Sequence, residues 1–436
     1  MSPAVLSLII FAVCVVLYIW NKLPVSVVAL LGLTAMLLTN VVSFEDGFKS
    51  FGSSTVVLIV GMMVVGQAAF DTGLAQLIGD KVIKLAKGNE RAIVMLATGL
   101  TALISAFLSN IATLAMMISI LQGVCSSDKR IHYKNVIMPV GMASVLGGAA
   151  TLIGSTTQLT AQGIVQEYLG VENGFSFFTF AIPGFLIIAV LVLYAGFIGY
   201  PLGKKIWGDS DTYDYIPEAD GKKSEVKEPN RKKIPIMATI FILTMVLYMT
   251  SDYLSKYIPN LNVGTISIMS ALACVITGCI DHKSAMKSIN WTVAIWFCAS
   301  LGIAAGLNKS GGGELLAKGF VGIFGENISV FGLFAVLLIL VIFLTQFLSN
   351  STVLTIVLPV AFSITQAMGY NTFGFAVGLT MGGAMAVATP LANTTIGMTM
   401  IANYKFSDYL KYCGPMTVIA TIILLVLVPI LWPLAA

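Results

Sequence analysis

Long apolar stretches recur along the chain and are separated by short polar connections. The apolar runs lie at 3–20, 24–42, 55–71, 92–122, 136–169, 177–202, 235–256, 264–281, 291–308, 328–367, 370–402 and 414–434. A helix needs about 20 apolar residues to cross a bilayer, so most of these runs match one crossing each. The strands of a transmembrane β-barrel alternate apolar and polar residues, and the continuous runs exclude that architecture. The pattern predicts an all-α polytopic membrane protein.

Two of the overlong runs carry a polar Ser-Asn pair near their middle. The run 92–122 contains Ser109-Asn110, and the run 328–367 contains Ser349-Asn350. The backbone leaves helical form at membrane depth only where protein or a water-filled cavity surrounds it. Each pair is therefore expected at the tip of a re-entrant hairpin that enters and leaves on one face. About ten full crossings then remain.

Two further long runs, 136–169 and 370–402, are interrupted by small and polar residues. The first reads Gly147-Gly148 and then Gly154-Ser155-Thr156-Thr157-Gln158, and the second reads Gly382-Gly383 and then Ala388-Thr389-Pro390. Proline removes a backbone donor and glycine weakens a helix, so both helices are expected to unwind at these positions. Each unwound segment is expected to lie against one hairpin tip.

The two halves of the chain repeat one another. Phe107-Leu108-Ser109-Asn110 recurs as Phe347-Leu348-Ser349-Asn350 at an offset of 240 residues, and Gly147-Gly148-Ala149 matches Gly382-Gly383-Ala384 at an offset of 235. A near-constant offset indicates duplication. The expected organisation is a first repeat at 1–202 with an inward hairpin, a linker at 203–234, and a second repeat at 235–436 with an outward hairpin. Five crossings per repeat invert the second repeat, which is an arrangement found in many secondary transporters.

Composition and charge add an orientation. Hydrophobic residues make up 57% and charged residues 10% of the chain, against roughly 25% charged in soluble proteins. With the linker in the cytoplasm, all of the 24 Lys and Arg lie inside except Lys49, Lys256, Lys309 and Lys318. Positive residues favour the cytoplasmic side, so both termini are expected outside a plasma (inner) membrane. The mixed charges of the linker favour a solvated connection over a nucleic-acid-binding surface.

The hairpins and broken helices lack ionisable side chains away from their ends. An intramembrane enzyme or a Na⁺/H⁺ antiporter would require such a group at depth, so a non-enzymatic function is expected. The polar atoms that remain are the hydroxyls of Ser105, Ser109, Thr345 and Ser349, the amides of Asn110 and Asn350, and the carbonyls freed by unwinding. Oxygen ligands suit hard cations such as Na⁺.

Two spacings and two helix ends support ion binding at the hairpin tips. Ser105 and Ser109 are four residues apart, as are Thr345 and Ser349, and on a helix this spacing puts both hydroxyls on one face. The helices that begin at the two tips direct free N–H groups and a positive dipole end toward the centre, where they favour an anion. An anionic solute with bound cations is the consistent interpretation, although a neutral solute remains open.

At these residues the chain resembles the divalent anion/sodium symporter family, which carries Ser-Asn-Thr motifs at two hairpin tips. Here the motifs read Ser109-Asn110-Ile111 and Ser349-Asn350-Ser351. The family's unwound motifs resemble Gly154-Ser155-Thr156 and Ala388-Thr389-Pro390. The resemblance implies an elevator mechanism, a homodimer and transport of a C4-dicarboxylate such as succinate, malate or fumarate with Na⁺. Sulfate or citrate transport and Na⁺-independent anion exchange are the alternatives.

The resemblance also implies which residues bind the ions. One Na⁺ site would use Ser105, Ser109, Asn110 and the carbonyl of Gly154, and a second would use Thr345, Ser349, Asn350 and the carbonyl of Ala388. Substrate would be bound by Ser109, Asn110, Ile111, Ser155, Thr156, Ser349, Asn350, Ser351, Thr389 and Pro390. The chain departs from the family at Ile111, where a hydroxyl is lost, and at Thr156-Thr157-Gln158, where the family usually has Pro-Pro-Asn.

Overall fold

The structure is a computed structural model, and it describes most of the chain. The residues outside the description are 1, 21, 75, 78–85, 87, 171–173, 209, 211, 212, 214, 217–231, 314, 316–328, 392 and 436. Most of the expected linker at 203–234 therefore lies outside the described residues. In the described part every regular element is helical, apart from an isolated antiparallel bridge between Tyr370 and Ala435. The predicted all-α fold is confirmed.

The first half of the chain contains ten helices whose bounds the structure describes. They are α1 (Pro3–Trp20), α2 (Val25–Leu38), α3 (Phe44–Phe48), α4 (Ser54–Asp71), α5 (Glu90–Ser105), α6 (Asn110–Ser127), α7 (Tyr133–Gly147), α8 (Thr156–Leu169), α9 (Ala181–Leu193) and α10 (Tyr200–Trp207). A π-helical turn, Tyr194–Gly199, joins α9 to α10. Short 3₁₀ turns follow α3 and α7.

The second half repeats the same order of elements. Its helices are α11 (Ile234–Leu254), α12 (Val263–Ile276), α13 (His282–Ser288), α14 (Trp291–Lys309), α15 (Val330–Leu344), α16 (Asn350–Ala367), α17 (Thr372–Gly383), α18 (Thr394–Gly397) and α19 (Phe406–Leu431). A 3₁₀ turn, Met398–Ala402, extends α18. Seven of the helical stretches among the described residues are long and apolar enough to cross a membrane. The protein is a multi-pass membrane protein.

Both predicted hairpins are present as pairs of helices separated at the Ser-Asn motif. The first hairpin is α5 and α6, and the second is α15 and α16. The first helix of each pair begins at a side-chain cap: Asn89 accepts a hydrogen bond from the N–H of Ala92 at 3.2 Å, and Ser329 accepts one from Gly332 at 3.1 Å. These caps satisfy backbone donors that would otherwise lack a partner at the helix start. The first hairpin begins at Glu90, two residues before its expected start at 92, and the second begins at Val330, two residues after its expected start at 328.

A buried carboxylate fixes the base of the first hairpin. Glu90 is 8% exposed, and one of its carboxylate oxygens accepts hydrogen bonds from the main-chain N–H of His132 and from Nδ2 of Asn135, each at 2.9 Å. The other oxygen accepts from the hydroxyl of Tyr200 at 2.6 Å. Because a buried charge is tolerated only when it is hydrogen-bonded, this network ties α5 to α7 and α10.

Each hairpin packs on the broken helix of its own half. Helix α5 packs against α7, and α15 and α16 pack against α17. Glycine permits the close approach in the first half, since a Cβ on Gly147 would collide with the carbonyl oxygen of Ala102. The halves also cross over: α8 packs against α16, and α18 packs against α6. The two tips and the two helix breaks are thereby brought to the same region of the molecule.

Candidate functional site

The two hairpin tips and the two helix breaks enclose one cavity of about 790 Å³. Besides Gln67, Ser288 and Asn290, its polar lining comes from four segments of similar chemistry. These are Ser109, Asn110, Ser155, Thr156 and Thr157 from the first half, and Ser349, Asn350, Ser351, Thr352, Asn393, Thr394 and Thr395 from the second. The halves meet directly, because Oγ of Ser351 donates a hydrogen bond to Oγ1 of Thr156 at 3.4 Å. Both hairpin tips therefore line the same cavity.

The cavity wall is electrically neutral but not apolar. Within the described residues no Asp, Glu, Lys, Arg or His lines the cavity. Helices α6, α8 and α16 all begin at this wall, at Asn110, Thr156 and Asn350. The first turn of a helix leaves N–H groups without intrahelical partners and carries a partial positive charge. The wall can therefore attract an anion without a basic side chain.

Oxygen atoms cluster behind the first tip. Oγ of Ser105 lies 2.7 Å from the side-chain amide of Asn110 and 2.6 Å from the carbonyl oxygen of Ser144. The same amide atom of Asn110 lies 2.8 Å from the carbonyl oxygen of Gly154. If this atom is nitrogen, it donates to its neighbours. If it is oxygen, it lies beside the oxygens of Ser105 and Gly154, and oxygen ligands suit a hard cation.

The second tip repeats this arrangement. Oγ1 of Thr345 lies 2.9 Å from Oδ1 of Asn350 and donates to the carbonyl oxygen of Gly383 at 3.0 Å. Thr345 thus corresponds to Ser105, and Gly383 to Ser144, at offsets of 240 and 239 residues. The carbonyl equivalent to that of Gly154 belongs to residue 392, which lies outside the described residues. The hairpin tips are equivalent in three dimensions as well as in sequence.

The prediction that the paired hydroxyls at each tip share one helix face is wrong. Helix α5 ends at Ser105 and α6 begins at Asn110, so Ser105 and Ser109 flank a turn and do not share a helix face. Thr345 and Ser349 flank the equivalent turn. Only Ser349 caps the following helix, accepting from the N–H of Thr352 at 3.3 Å, whereas Ser109 makes no capping bond. The turn directs the first hydroxyl of each pair toward the asparagine.

The helix breaks align differently from the sequence expectation. Oγ1 of Thr151 donates to the carbonyl oxygen of Ala106, and Oγ1 of Thr389 donates to that of Gln346. Thr151 therefore occupies the position of Thr389, at an offset of 238 residues. The alignment of Gly154-Ser155-Thr156 with Ala388-Thr389-Pro390 is displaced by four residues. Buried hydroxyl-to-carbonyl bonds to the hairpins decide the register, and the local motif does not show them.

This shift changes which residues meet the cavity. Ala388, Thr389 and Pro390 are buried and are not among the residues that line it. The sequence reasoning missed Asn393, Thr394 and Thr395, which line the cavity just as Ser155, Thr156 and Thr157 do. The missed signal was the Thr-Thr pair, which recurs at the same offset of 238 residues. Ser155 and Asn393 cap equivalent helices, accepting from the N–H of Thr157 at 3.2 Å and of Thr395 at 2.8 Å.

The absence of a side chain at Gly148 lets the first helix break pack closely against the first hairpin tip. A Cβ on Gly148 would lie 2.5 Å from Oδ1 of Asn110 and 2.8 Å from the carbonyl oxygen of Gly154. Real Cβ atoms do not approach other atoms so closely, so a side chain here would displace one or both oxygens. Gly148 is therefore required for the close packing of the oxygen cluster.

Comparison with known proteins gives one family and several relatives. The sequence profile of the citrate transporter family (CitMHS) matches residues 15–382. An uncharacterised transporter of Haemophilus influenzae is 26% identical over 88% of this chain and 82% of its own length. The sodium-dependent dicarboxylate transporter SdcS of Staphylococcus saprophyticus is 22% identical over 86% of this chain and 75% of its own length.

Solved structures show the same fold. Neisseria gonorrhoeae MtrF, described as one of a class of antimetabolite efflux pumps, superimposes with a TM-score of 0.65 over 99% of this chain and 95% of its own, at 15% identity. The Alcanivorax borkumensis YdaH transporter superimposes with a TM-score of 0.63 over 93% of this chain and 89% of its own, at 16% identity. At such identities the likeness concerns the fold.

Proposed function

Because this chain belongs to the citrate transporter family, we propose that it is a secondary active transporter of small divalent anions, driven by Na⁺. The foremost substrates are C4-dicarboxylates such as succinate, malate and fumarate. The family and its relatives are transporters and not enzymes. The relationship to dicarboxylate transporters that the two Ser-Asn motifs indicated is thereby confirmed at the level of the family.

One observation supports this proposal above the others: a neutral cavity lies between two equivalent oxygen clusters. A dianion alone would face only neutral groups, while cations alone would bring excess positive charge to the membrane centre. Two Na⁺ beside one dianion cancel that charge, which lowers the desolvation cost for the whole set of ions. The neutral wall and the paired clusters fit this combination.

The proposed cation sites follow the two clusters. The first Na⁺ would take oxygens from Ser105, Asn110 and the carbonyl of Gly154, with Ser109 at its edge. The second would take oxygens from Thr345 and Asn350. Ser349 and the carbonyl of Ala388, the two other ligands that the sequence predicts, would complete the second site. In this assignment the side-chain oxygen of Asn110 faces the carbonyl of Gly154, 2.8 Å away, and the cation removes their repulsion.

The substrate lies between the tips, where each asparagine contacts both a cation and a carboxylate. Asn350, Ser351 and Thr156 contact it at one end, and Asn110 with the first turn of α6 contacts it at the other. Binding of Na⁺ fixes the asparagine amides and so completes the substrate site, which makes the two ligands bind cooperatively.

Transport is proposed to follow an elevator mechanism in a homodimer of the plasma (inner) membrane. The hairpins and broken helices would move together, since each break is hydrogen-bonded to its own hairpin through Thr151 or Thr389. The two repeats are inverted in this proposal, with both chain termini outside and the linker in the cytoplasm. A site that stays assembled while it moves fits the cross-packing of α8 on α16.

Na⁺-independent exchange is a second candidate, which one observation favours. With nitrogen in place of oxygen, the Asn110 amide donates to Gly154 at 2.8 Å and to Ser144 at 3.2 Å, and the first cluster is satisfied without a cation. Exchange would then proceed with the dianion alone.

Uptake into proteoliposomes tests the proposal and separates the candidates. Labelled succinate, malate, citrate and sulfate are supplied with and without an inward Na⁺ gradient, and with and without internal unlabelled anion. We expect saturable dicarboxylate uptake that requires the Na⁺ gradient. Uptake that ignores Na⁺ but requires internal anion would establish exchange, and uptake of none of the four anions would refute the proposed substrate class.

A further inference from the structure

The two hairpin tips differ in chemistry although the duplication puts their residues at equivalent positions. At an offset of 240 residues, Ile111 corresponds to Ser351 and Ala112 to Thr352. All four residues line the same cavity. The second tip therefore presents hydroxyls where the first presents aliphatic carbon. Two otherwise equivalent tips thus differ at positions that line the cavity.

The polar side of the cavity is built from both repeats. Oγ of Ser351 donates to Oγ1 of Thr156 at 3.4 Å, so the two hydroxyls face the same space. Thr352 is 4% exposed, and its hydroxyl lies 2.5 Å from that of Ser349, so it supports the tip, whereas Ser351 is half-buried and lines the cavity. Hydroxyls and helix N–H groups together suit a carboxylate.

Two exposed aliphatic side chains also line the cavity. Ile111 is 49% exposed and Leu391 is 69% exposed, and both line the cavity. They lie on neighbouring elements, because Leu391 precedes α18, which packs against α6. An exposed aliphatic side chain at the start of a helix contributes nothing to the protein core. It removes a polar contact and offers a surface that attracts apolar groups.

We propose that the cargo is a dicarboxylate with two unlike ends, bearing an alkyl group beside one of its carboxylates. This inference rests on the proposed function and specifies its substrate. The unsubstituted carboxylate binds Ser351, Thr156 and the start of α16. The other carboxylate binds the N–H groups at the start of α6, and the alkyl group beside it packs on Ile111 and Leu391. Ile111 is thus the residue that determines specificity.

The expected selectivity is large enough to measure. One methylene in a hydrophobic pocket changes recognition by about 10- to 200-fold. The contact with Ile111 is half exposed, so the lower end of this range applies. We expect 2-methylsuccinate and 2,2-dimethylsuccinate to compete for the site about tenfold better than succinate, at the same charge and the same Na⁺ concentration.

The test compares three proteins in proteoliposomes: the wild type, Ile111→Ser and the conservative control Ile111→Val. Serine is the residue at the equivalent tip and is well tolerated at a helix start, so Ile111→Ser is expected to fold. The inhibition constants of succinate, 2-methylsuccinate and 2,2-dimethylsuccinate are measured against Na⁺-driven uptake. Stabilisation of the purified protein by each compound in Na⁺ gives a second readout that does not require transport.

The wild type and Ile111→Val should both prefer the alkylated compounds, and Ile111→Ser should bring the three constants to within about twofold to threefold. Equal constants in the wild type, or an unchanged preference in Ile111→Ser, would overturn the inference while leaving the proposed function intact. If none of the three compounds is carried or stabilises the protein, the proposed function itself fails and the inference fails with it.

Discussion

Substitution of Gly148 by alanine tests the first oxygen cluster directly. The added Cβ would lie 2.5 Å from Oδ1 of Asn110 and 2.8 Å from the carbonyl oxygen of Gly154, roughly 1 Å closer than van der Waals contact allows. One of the two oxygens must then leave the cluster. Displacing a group that orients a metal ligand typically lowers metal affinity by 10- to 100-fold, which corresponds to about 1.4 to 2.7 kcal/mol.

The assay is the Na⁺ concentration that gives half-maximal dicarboxylate uptake in proteoliposomes. Gly148→Ala should raise it by about 10- to 100-fold. The matched control is Gly123→Ala in α6, where an added Cβ meets no atom within 4 Å and where alanine favours the helix. An unchanged Na⁺ dependence in a folded Gly148→Ala protein would refute the reasoning. If that variant does not fold, Ser105→Ala, which removes a single oxygen of the same cluster, provides the same measurement.

Three further predictions concern the site and its support. Asn350→Ala should abolish uptake and leave the melting temperature within a few degrees of the wild type. The reason is that the Asn350 amide contacts only Thr345 among the described atoms of the second cluster. Uptake near the wild-type rate would contradict the second site. No ionisable side chain lines the cavity within the described residues, so uptake between about pH 5.5 and 8 should follow the dianionic fraction of the substrate. Sulfate stays ionised over this range and serves as the control. A pH dependence of sulfate uptake would argue against a neutral site. Glu90→Ala should destabilise the protein by about 3 kcal/mol, because it removes the buried carboxylate that accepts hydrogen bonds from the N–H of His132, from Asn135 and from Tyr200. Thermal unfolding measures this, with the exposed Glu45→Ala as control.

The hairpin tips are predictable because polar residues are rare inside apolar runs that cross a membrane. A Ser-Asn pair inside a long apolar run has few tolerated positions, and its recurrence after 240 residues identifies both tips from the sequence alone. The same reasoning locates the two helix breaks, which the structure places after Gly147 and Gly383. These are local properties of the chain, set by length, hydropathy and backbone chemistry.

The register of the breaks is not predictable from the local motif. Thr389 matches a family pattern, yet the structure buries its hydroxyl against Gln346, and Asn393 and Thr394 line the cavity in its place. The recurrence of Thr156-Thr157 as Thr394-Thr395, 238 residues later, is the one sequence signal for this register. The partner of Thr389 lies 43 residues away in the chain, and no local pattern records such a distant contact.

The sequence by itself determined that the protein spans a membrane, that its halves are duplicated, and that its centre holds neutral oxygens instead of charges. Hydropathy and composition settle these features because burial in lipid penalises every unpaired polar group. Only the tertiary structure decided which oxygens meet and which residues line the cavity. Those properties depend on how α8 packs on α16 and α18 on α6, and such contacts between distant segments are fixed by packing of the whole fold.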